Sequence, residues 1–142
     1  ERLVLHGAIE SRREHLALYS QVDIGLDTFP YNGTTTTCES LWMGIPVITL
    51  AGDRHAGRVG YSLLSSLELT QLVADDQPGF VAIAARLAAD STQRRQWRTG
   101  LRGIMQSSML CDGHGFTRNI ESAWRDMWTC WCEQQASESR PE

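Results

Sequence analysis

The chain has 142 residues, with 13 Lys plus Arg against 17 Asp plus Glu and a formal charge of −4. That length suits one domain rather than two, and the acidic balance argues against the basic surface on which nucleic-acid modules depend. Apolar residues make up 42% and charged residues 21%, as in ordinary globular proteins, and no apolar run approaches the roughly 20 residues of a membrane span.

The first residue is Glu1 rather than a methionine, and no basic start leads into an apolar stretch. We expect a piece of a longer chain without a visible signal peptide. Arg2 to Ala8 is expected as a strand, because Leu3, Val4 and Leu5 form a short continuous apolar run of the kind buried in parallel sheets. Ser11-Arg12-Arg13-Glu14 matches a capping box. The helix it opens places Leu16, Tyr19 and Val22 nearly on one face. Asp23 to Asp27 reads as a second strand, and Phe29 to Gly33 as a loop by its turn residues. Thr34 to Met43 reads as a helix closed by Gly44. Pro46 to Leu50 is a third strand, followed by a polar loop over Ala51 to Ala56. Val59, Leu63 and Leu67 mark a helix, Leu72 to Ala74 a short strand, and Pro78 opens a helix with Phe80, Ile83, Ala84, Leu87 and Ala88 in step. Further helices are expected from Thr92 to about Met105 and from about Phe116 onward. The tail from Gln134 to Glu142 is polar and expected to fray.

Strands alternating with helices imply an α/β fold, a Rossmann-like parallel sheet with right-handed crossovers, followed by C-terminal helices. Cys38, Cys111, Cys130 and Cys132 do not form a disulfide framework, and Cys130-Trp131-Cys132 lacks zinc-site spacing. Free thiols in a reducing compartment, and hence a cytoplasmic protein, are expected. His6, His15, His55 and His114 are scattered, and no metal is expected.

The stretch from Asp27 to Pro46 carries the chemistry. It joins the carboxyl end of a strand to a helix, where open α/β sheets bind ligands. Gly33 permits close approach of backbone to a ligand. Thr34, Thr35 and Thr36 stand at a helix N-terminus, whose free N–H groups and dipole favour an anion. Their hydroxyls add donors without adding charge. Glu39, one turn inside, is placed to accept from the hydroxyls of a ribose. Thr36-Thr37-Cys38-Glu39 is equally a capping box, in which Glu39 closes the helix start and binds nothing. Neither the G-x-G-x-x-G fingerprint nor a Walker A sequence is present.

Thr36-x-x-Glu39-Ser40-Leu41-x-x-Gly44-Ile45-Pro46-Val47-Ile48 resembles the donor-binding helix of GT-B glycosyltransferases. Leu26-Asp27-x-Phe29-Pro30-Tyr31-Asn32-Gly33-x-Thr35-Thr36 resembles, more narrowly, the protein O-linked N-acetylglucosamine transferase and SPINDLY family. Trp42 to Val47, Gly52-Asp53-Arg54-His55, Arg58-Val59-Gly60, Leu110-Cys111-Asp112 and Trp124 to Trp128 extend the likeness over nearly the whole chain.

The resemblance implies residues 1–133 as the later part of the C-terminal donor-binding domain, with 134–142 as a tail. It implies transfer of N-acetylglucosamine from UDP-GlcNAc to Ser or Thr of protein acceptors, or, in SPINDLY-like members, of fucose from GDP-fucose. A non-catalytic sugar-nucleotide-binding remnant is the alternative of a different class. By position, Gly33, Thr34, Thr35 and Thr36 would hold the donor diphosphate, Glu39 the ribose, and His15 the base. Thr34 stands where the animal enzymes have His, and Glu39 where they have Asp. The resemblance further implies an upstream GT-B domain and tetratricopeptide repeats as partners, while the acidic balance and the lack of a long apolar run predict no nucleic acid and no membrane.

Other residues have plainer readings beside the functional ones. His55 and Arg58 would neutralise phosphate, or merely sit in a solvated loop. Asp27 and Asn32 would support the loop. Tyr31 would stack on a ligand or anchor the loop. No catalytic base is identifiable. Trp124, Trp128 and Trp131 form a stripe that ordinarily marks packing. Since the last helix of GT-B enzymes crosses to the other domain, part of the stripe is expected to be exposed.

Overall fold

The computed structural model describes residues 3–138, the last two without their side chains. The elements run α1 (Arg12–Leu18), β1 (Gly25–Leu26), α2 (Thr35–Trp42), β2 (Val47–Leu50), α3 (Val59–Ser66), β3 (Val73–Ala74), α4 (Gln77–Ala89), α5 (Ser91–Ser107) and α6 (Gly113–Glu138). Among the described residues the strands form one parallel sheet in the order β1-β2-β3. Gly25 and Leu26 pair with Val47 and Ile48, and Thr49 and Leu50 with Val73 and Ala74. The expected α/β architecture with a parallel sheet and C-terminal helices is therefore present.

Central placement explains why all four residues of β2 are buried and why Pro46-Val47-Ile48-Thr49-Leu50 reads as an almost continuous apolar run. Helices α2, α3 and α4 pack on β2, and α5 packs on α2 and α4. Leu41, Ile48, Leu64 and Leu101, each 0% exposed, form the centre of the core, and each such burial contributes roughly 1.5–3 kcal/mol. The helix starts follow their sequence signals. Ser11 Oγ accepts from the Glu14 N–H at 3.3 Å, Asp76 Oδ1 from Gly79 at 2.7 Å, and Asp90 Oδ1 from Gln93 at 2.8 Å.

The end of α2 needs more than a signal. Gly44 has φ +80°, and a Cβ there would lie 2.5 Å from the Arg98 carbonyl oxygen of α5, so both conformation and close approach demand glycine. Arg98 then ties three segments together. Its Nη1 donates to the carbonyls of Tyr19 and Met43 at 3.1 and 3.2 Å, and its Nη2 to that of Val22 at 2.5 Å. The guanidinium thus satisfies carbonyls left open at helix ends.

Two expectations are corrected. Leu3, Val4 and Leu5 lie in irregular chain, 70–83% exposed, and not in a strand over Arg2–Ala8 (Arg2 itself lies outside the described residues). A strand exists only by pairing, and an apolar run does not specify its neighbour. The tail from Gln134 is helical to Glu138, residues 139–142 lying outside the described residues. Glu, Gln and Ala propagate a helix whether or not it is buried. The chain divides into two compact units, Glu1–Ser108 and Met109–Glu142. In the second unit α6 leaves Trp124, Met127, Trp128 and Trp131 exposed, with Trp128 and Trp131 stacked at 5.1 Å.

Arg98→Ala should lower unfolding free energy by on the order of 2–3 kcal/mol, since hydrogen bonds from a charged donor are worth more than neutral ones. Arg98→Lys should recover less than half of the loss, because an ammonium cannot reproduce the fork. Urea unfolding of the three proteins measures both.

Candidate functional site

The segment leaving β1 is held by one carboxylate. Asp27 Oδ1 accepts from the backbone N–H of Gly33 at 2.8 Å and of Thr28 at 3.0 Å, while Oδ2 accepts from Thr49 Oγ1 at 2.8 Å. Thr49 is fully buried in β2, so the loop is tied to the middle strand. Asn32, 1% exposed, is the second tie. Its Nδ2 donates to the Thr28 carbonyl at 2.9 Å, its Oδ1 accepts from Gly60 N–H at 3.2 Å, and its own N–H donates to Ala56 at 2.9 Å. Asp27 and Asn32 are thus scaffold for the loop. Glycine is required at both anchoring points. A Cβ on Gly33 would meet Thr36 Oγ1 at 2.6 Å, and one on Gly60 would collide with Thr49 Oγ1 and Asp27 Oδ2.

These ties aim the N-terminus of α2 outward. Thr34, Thr35 and Thr36 are exposed there, whereas Thr37 is buried and donates to the Gly33 carbonyl at 3.0 Å. Thr34 is the N-cap residue and makes no side-chain capping bond. The first turn of α2 carries no acidic residue. Free N–H groups, the helix dipole and hydroxyl donors therefore converge there, as an anion requires, while the neighbouring Asp27 carboxylate is committed to Gly33, Thr28 and Thr49. Beside them lies a small cleft of about 140 Å³ lined by Asp27, Thr28, Gly33, Thr36, Thr37 and Ser40.

Glu39 does not cap α2. The helix starts at Thr35, so Thr36 is already inside it and the Thr36–Glu39 capping box is not formed. The Glu39 carboxylate instead turns to α1. His15 Nε2 lies 3.2 Å from Glu39 Oε2, and Tyr19 Oη donates to the same oxygen at 3.4 Å. The His15 and Tyr19 rings meet edge to face at 5.6 Å. Burial pushes the Tyr19 hydroxyl above its ordinary value of 10.0; a Ser40 hydrogen bond opposes this, and the Glu39 charge and hydrogen bond add to it. His15 and Glu39 remain partly exposed, at 40% and 23% of their side chains, so an imidazole and a carboxylate face one ligand-accessible corner.

His55 and Arg58 come from the segment after β2. His55 begins a single tight turn after β2, and Arg58 caps α3. With Thr34, Tyr61, Ser62 and Ser66 they line a separate open cleft of about 650 Å³. Of the residues assigned to the diphosphate loop, Thr34 alone borders it. Tyr31 is 73% exposed. Sequence reasoning missed Tyr19 as the second partner of Glu39, although its position four residues after His15 puts both on one helix face. It also missed Thr49 and Gly60, whose roles depend on contacts far along the chain.

Residues 1–120 match Glycosyl transferase family 41. The chain belongs to this family. A rice protein (Oryza sativa subsp. japonica) called probable UDP-N-acetylglucosamine–peptide N-acetylglucosaminyltransferase SPINDLY is 50% identical over 135 residues, covering 95% of this chain and 15% of its own length. The Caenorhabditis elegans UDP-N-acetylglucosamine–peptide N-acetylglucosaminyltransferase is 30% identical over 125 residues, 88% of this chain and 11% of its own. A solved structure of a mutant O-GlcNAc transferase from Thermobaculum terrenum superposes with a TM-score of 0.82 at 40% identity, covering 88% of this chain and 24% of that one. The family 41 chain thus spans about 15% of the length of such curated relatives, and its parallel sheet is that of a partial GT-B C-terminal domain. Among the described residues no helix is long and apolar enough to cross a membrane.

Gly60→Ala should destabilise the protein by about 1–3 kcal/mol through overpacking, whereas Gly100→Ala, where a Cβ meets nothing within 4 Å, should stabilise it by about 0.4–1 kcal/mol. Thermal unfolding of the pair tests the anchoring. The raised ionisation of Tyr19 also sets a pH dependence. Because the folded form holds the phenolic proton more tightly, that stability is complete below about pH 10 and is lost as pH rises through the folded value. Wild type should hold its stability relative to Tyr19→Phe up to about pH 10 and lose it as pH rises further, read from urea midpoints.

Proposed function

We propose that this chain is the donor-binding part of a protein O-glycosyltransferase that moves N-acetylglucosamine from UDP-GlcNAc to Ser or Thr hydroxyls. The carrying observation is the pairing of His15 with Glu39 at 3.2 Å on the helix whose N-terminus presents Thr34, Thr35 and Thr36. The corner that His15 of α1 makes with Glu39 of α2, followed by the anion end of α2, gives the order of a nucleoside diphosphate. The relatives named above as N-acetylglucosaminyltransferases support the donor and the polypeptide acceptor.

In the proposed reaction the acceptor hydroxyl oxygen bonds to the anomeric carbon as the bond to the diphosphate oxygen breaks. The electron pair of that bond leaves on the diphosphate, and the acceptor's hydroxyl proton passes to solvent water. The chain's contribution is electrostatic: the free N–H groups in the first turn of α2 and the three threonine hydroxyls stabilise charge developing on the leaving group, and Gly33 lets the backbone approach it closely. Glu39 accepts from the ribose, His15 contacts the base, and Asp27 and Asn32 keep the loop in place. The site is assigned no metal, and no catalytic base is assigned within this chain. An upstream GT-B domain and tetratricopeptide repeats complete the proposed enzyme, and residues 1–133 are its later donor-binding part. A cytoplasmic location agrees with the absence of disulfides among the described cysteines.

Titration calorimetry of the complete polypeptide with UDP, GDP and UMP tests the reading. UDP should bind selectively, and Thr35→Val with Thr36→Val should weaken it by at least about 10-fold, the loss expected for hydrogen bonds to a charged group. Glu39→Gln should weaken UDP and uridine binding and leave inorganic pyrophosphate unchanged. A preference for GDP would move the donor to GDP-fucose. UDP binding without transfer would identify a non-catalytic binding remnant.

A further inference from the structure

The open cleft of about 650 Å³ at the start of α3 is within the size range of ligand sites, and the donor does not account for it. Its lining comprises Thr34, His55, Arg58, Val59, Tyr61, Ser62, Leu63, Ser65 and Ser66. The chain carries 17 acidic residues and a net charge of −4, yet this lining contains no carboxylate.

Arg58 gives the cleft its character. Its Nη1 donates to the Gly52 carbonyl at 3.0 Å, and its guanidinium lies 4.6 Å from the centre of the Tyr61 ring. Both contacts orient the group, and neither neutralises it. Among the described residues Arg58 has no acidic partner within ion-pair distance. An arginine held by a carbonyl and an aromatic face keeps the rest of its planar fork for a carboxylate, with little ordering left to do on binding. Placed on the exposed lip of the cleft, His55 adds a second basic group, while Ser62 and Tyr61 add hydroxyls.

Position supplies the occupant. Thr34 belongs both to this cleft and to the anion end of α2. A donor lying with its ribose at Glu39 and its diphosphate at Thr35 and Thr36 directs its transferable end past Thr34. Whatever accepts the sugar must approach there. We propose that this cleft seats an acidic segment of the polypeptide acceptor, with Arg58 taking a carboxylate beside the modified Ser or Thr. The inference rests on the transferase reading above and adds a sequence preference to it. It reassigns Arg58 from phosphate neutralisation to acceptor choice.

The test uses two fluorescein-labelled peptides with one central Ser, flanked by Asp in one and by Asn in the other. Binding to the complete polypeptide is followed by anisotropy, with and without UDP, so no turnover is needed. The Asp peptide should bind about 10-fold more tightly, the worth of one well-formed charge-assisted pair. Arg58→Gln should reduce that ratio to about 2-fold or less while leaving the Asn peptide and the calorimetric UDP affinity within about 2-fold. Ser62→Asp, which puts a carboxylate into the cleft one turn from Arg58, should reduce the ratio likewise. Equal affinity for both peptides in wild type, a ratio that survives both substitutions, or an Arg58→Gln loss shared by both peptides and by UDP would overturn the proposal. Failure of the donor reading shows separately, as absent UDP binding in calorimetry alongside an intact peptide ratio.

Discussion

The Asp27 carboxylate is the constraint on which the site depends. A carboxylate has two oxygens and only accepts hydrogen bonds, and here the two are divided between the loop backbone, through Gly33 and Thr28, and the middle strand, through Thr49. The loop is thereby fixed to the most buried element of the sheet. Asn32 extends the network to α3 through Gly60. Buried polar groups are costly unless satisfied, and a network in which every member has a partner becomes rigid for the same reason. That rigidity sets the direction of α2, whose first turn is the chemically useful surface.

Both ends of α2 are put to use. At its start, hydroxyls and N–H groups gather with no acidic residue in the first turn of the helix, and the neighbouring Asp27 carboxylate is taken up by Gly33, Thr28 and Thr49. At its close, Gly44 and Arg98 satisfy the chain's departing carbonyls and tie α5 to the segment after α1. Arg98 therefore bears on ligand chemistry at a distance. By holding Tyr19 and Val22, it keeps α1 against α2, where His15 and Tyr19 meet Glu39. The His15–Glu39 corner forms between α1 and α2 because a guanidinium at the far end of α2 keeps α1 in register.

Much of this was legible in sequence. The turn residues of Phe29 to Gly33, the threonines after them, Gly44 closing the helix and the apolar run of β2 are local signals, and each element forms where its signal stands. The family resemblance rested on the same stretch and agrees with the family match over residues 1–120. Less legible was Glu39. A capping box and a ribose ligand use the same residue types at the same spacing, and only a helix start two residues earlier than the box requires excludes the capping reading.

Sequence by itself determined the alternation of strands and helices, the glycine and threonine chemistry of the loop, and the absence of zinc-site spacing, because dihedral preference and hydrophobic period act over a few residues. Tertiary structure alone decided that Leu3 to Leu5 stays outside the sheet, since a strand needs a neighbour that its own pattern cannot name. It decided that Glu39 faces His15, 24 residues away, and not its own helix start. It also brought His55 and Arg58 together with Thr34 on the wall of a second cleft. Such pairings arise from how buried elements pack, and packing joins residues whose separation along the chain carries no local signal.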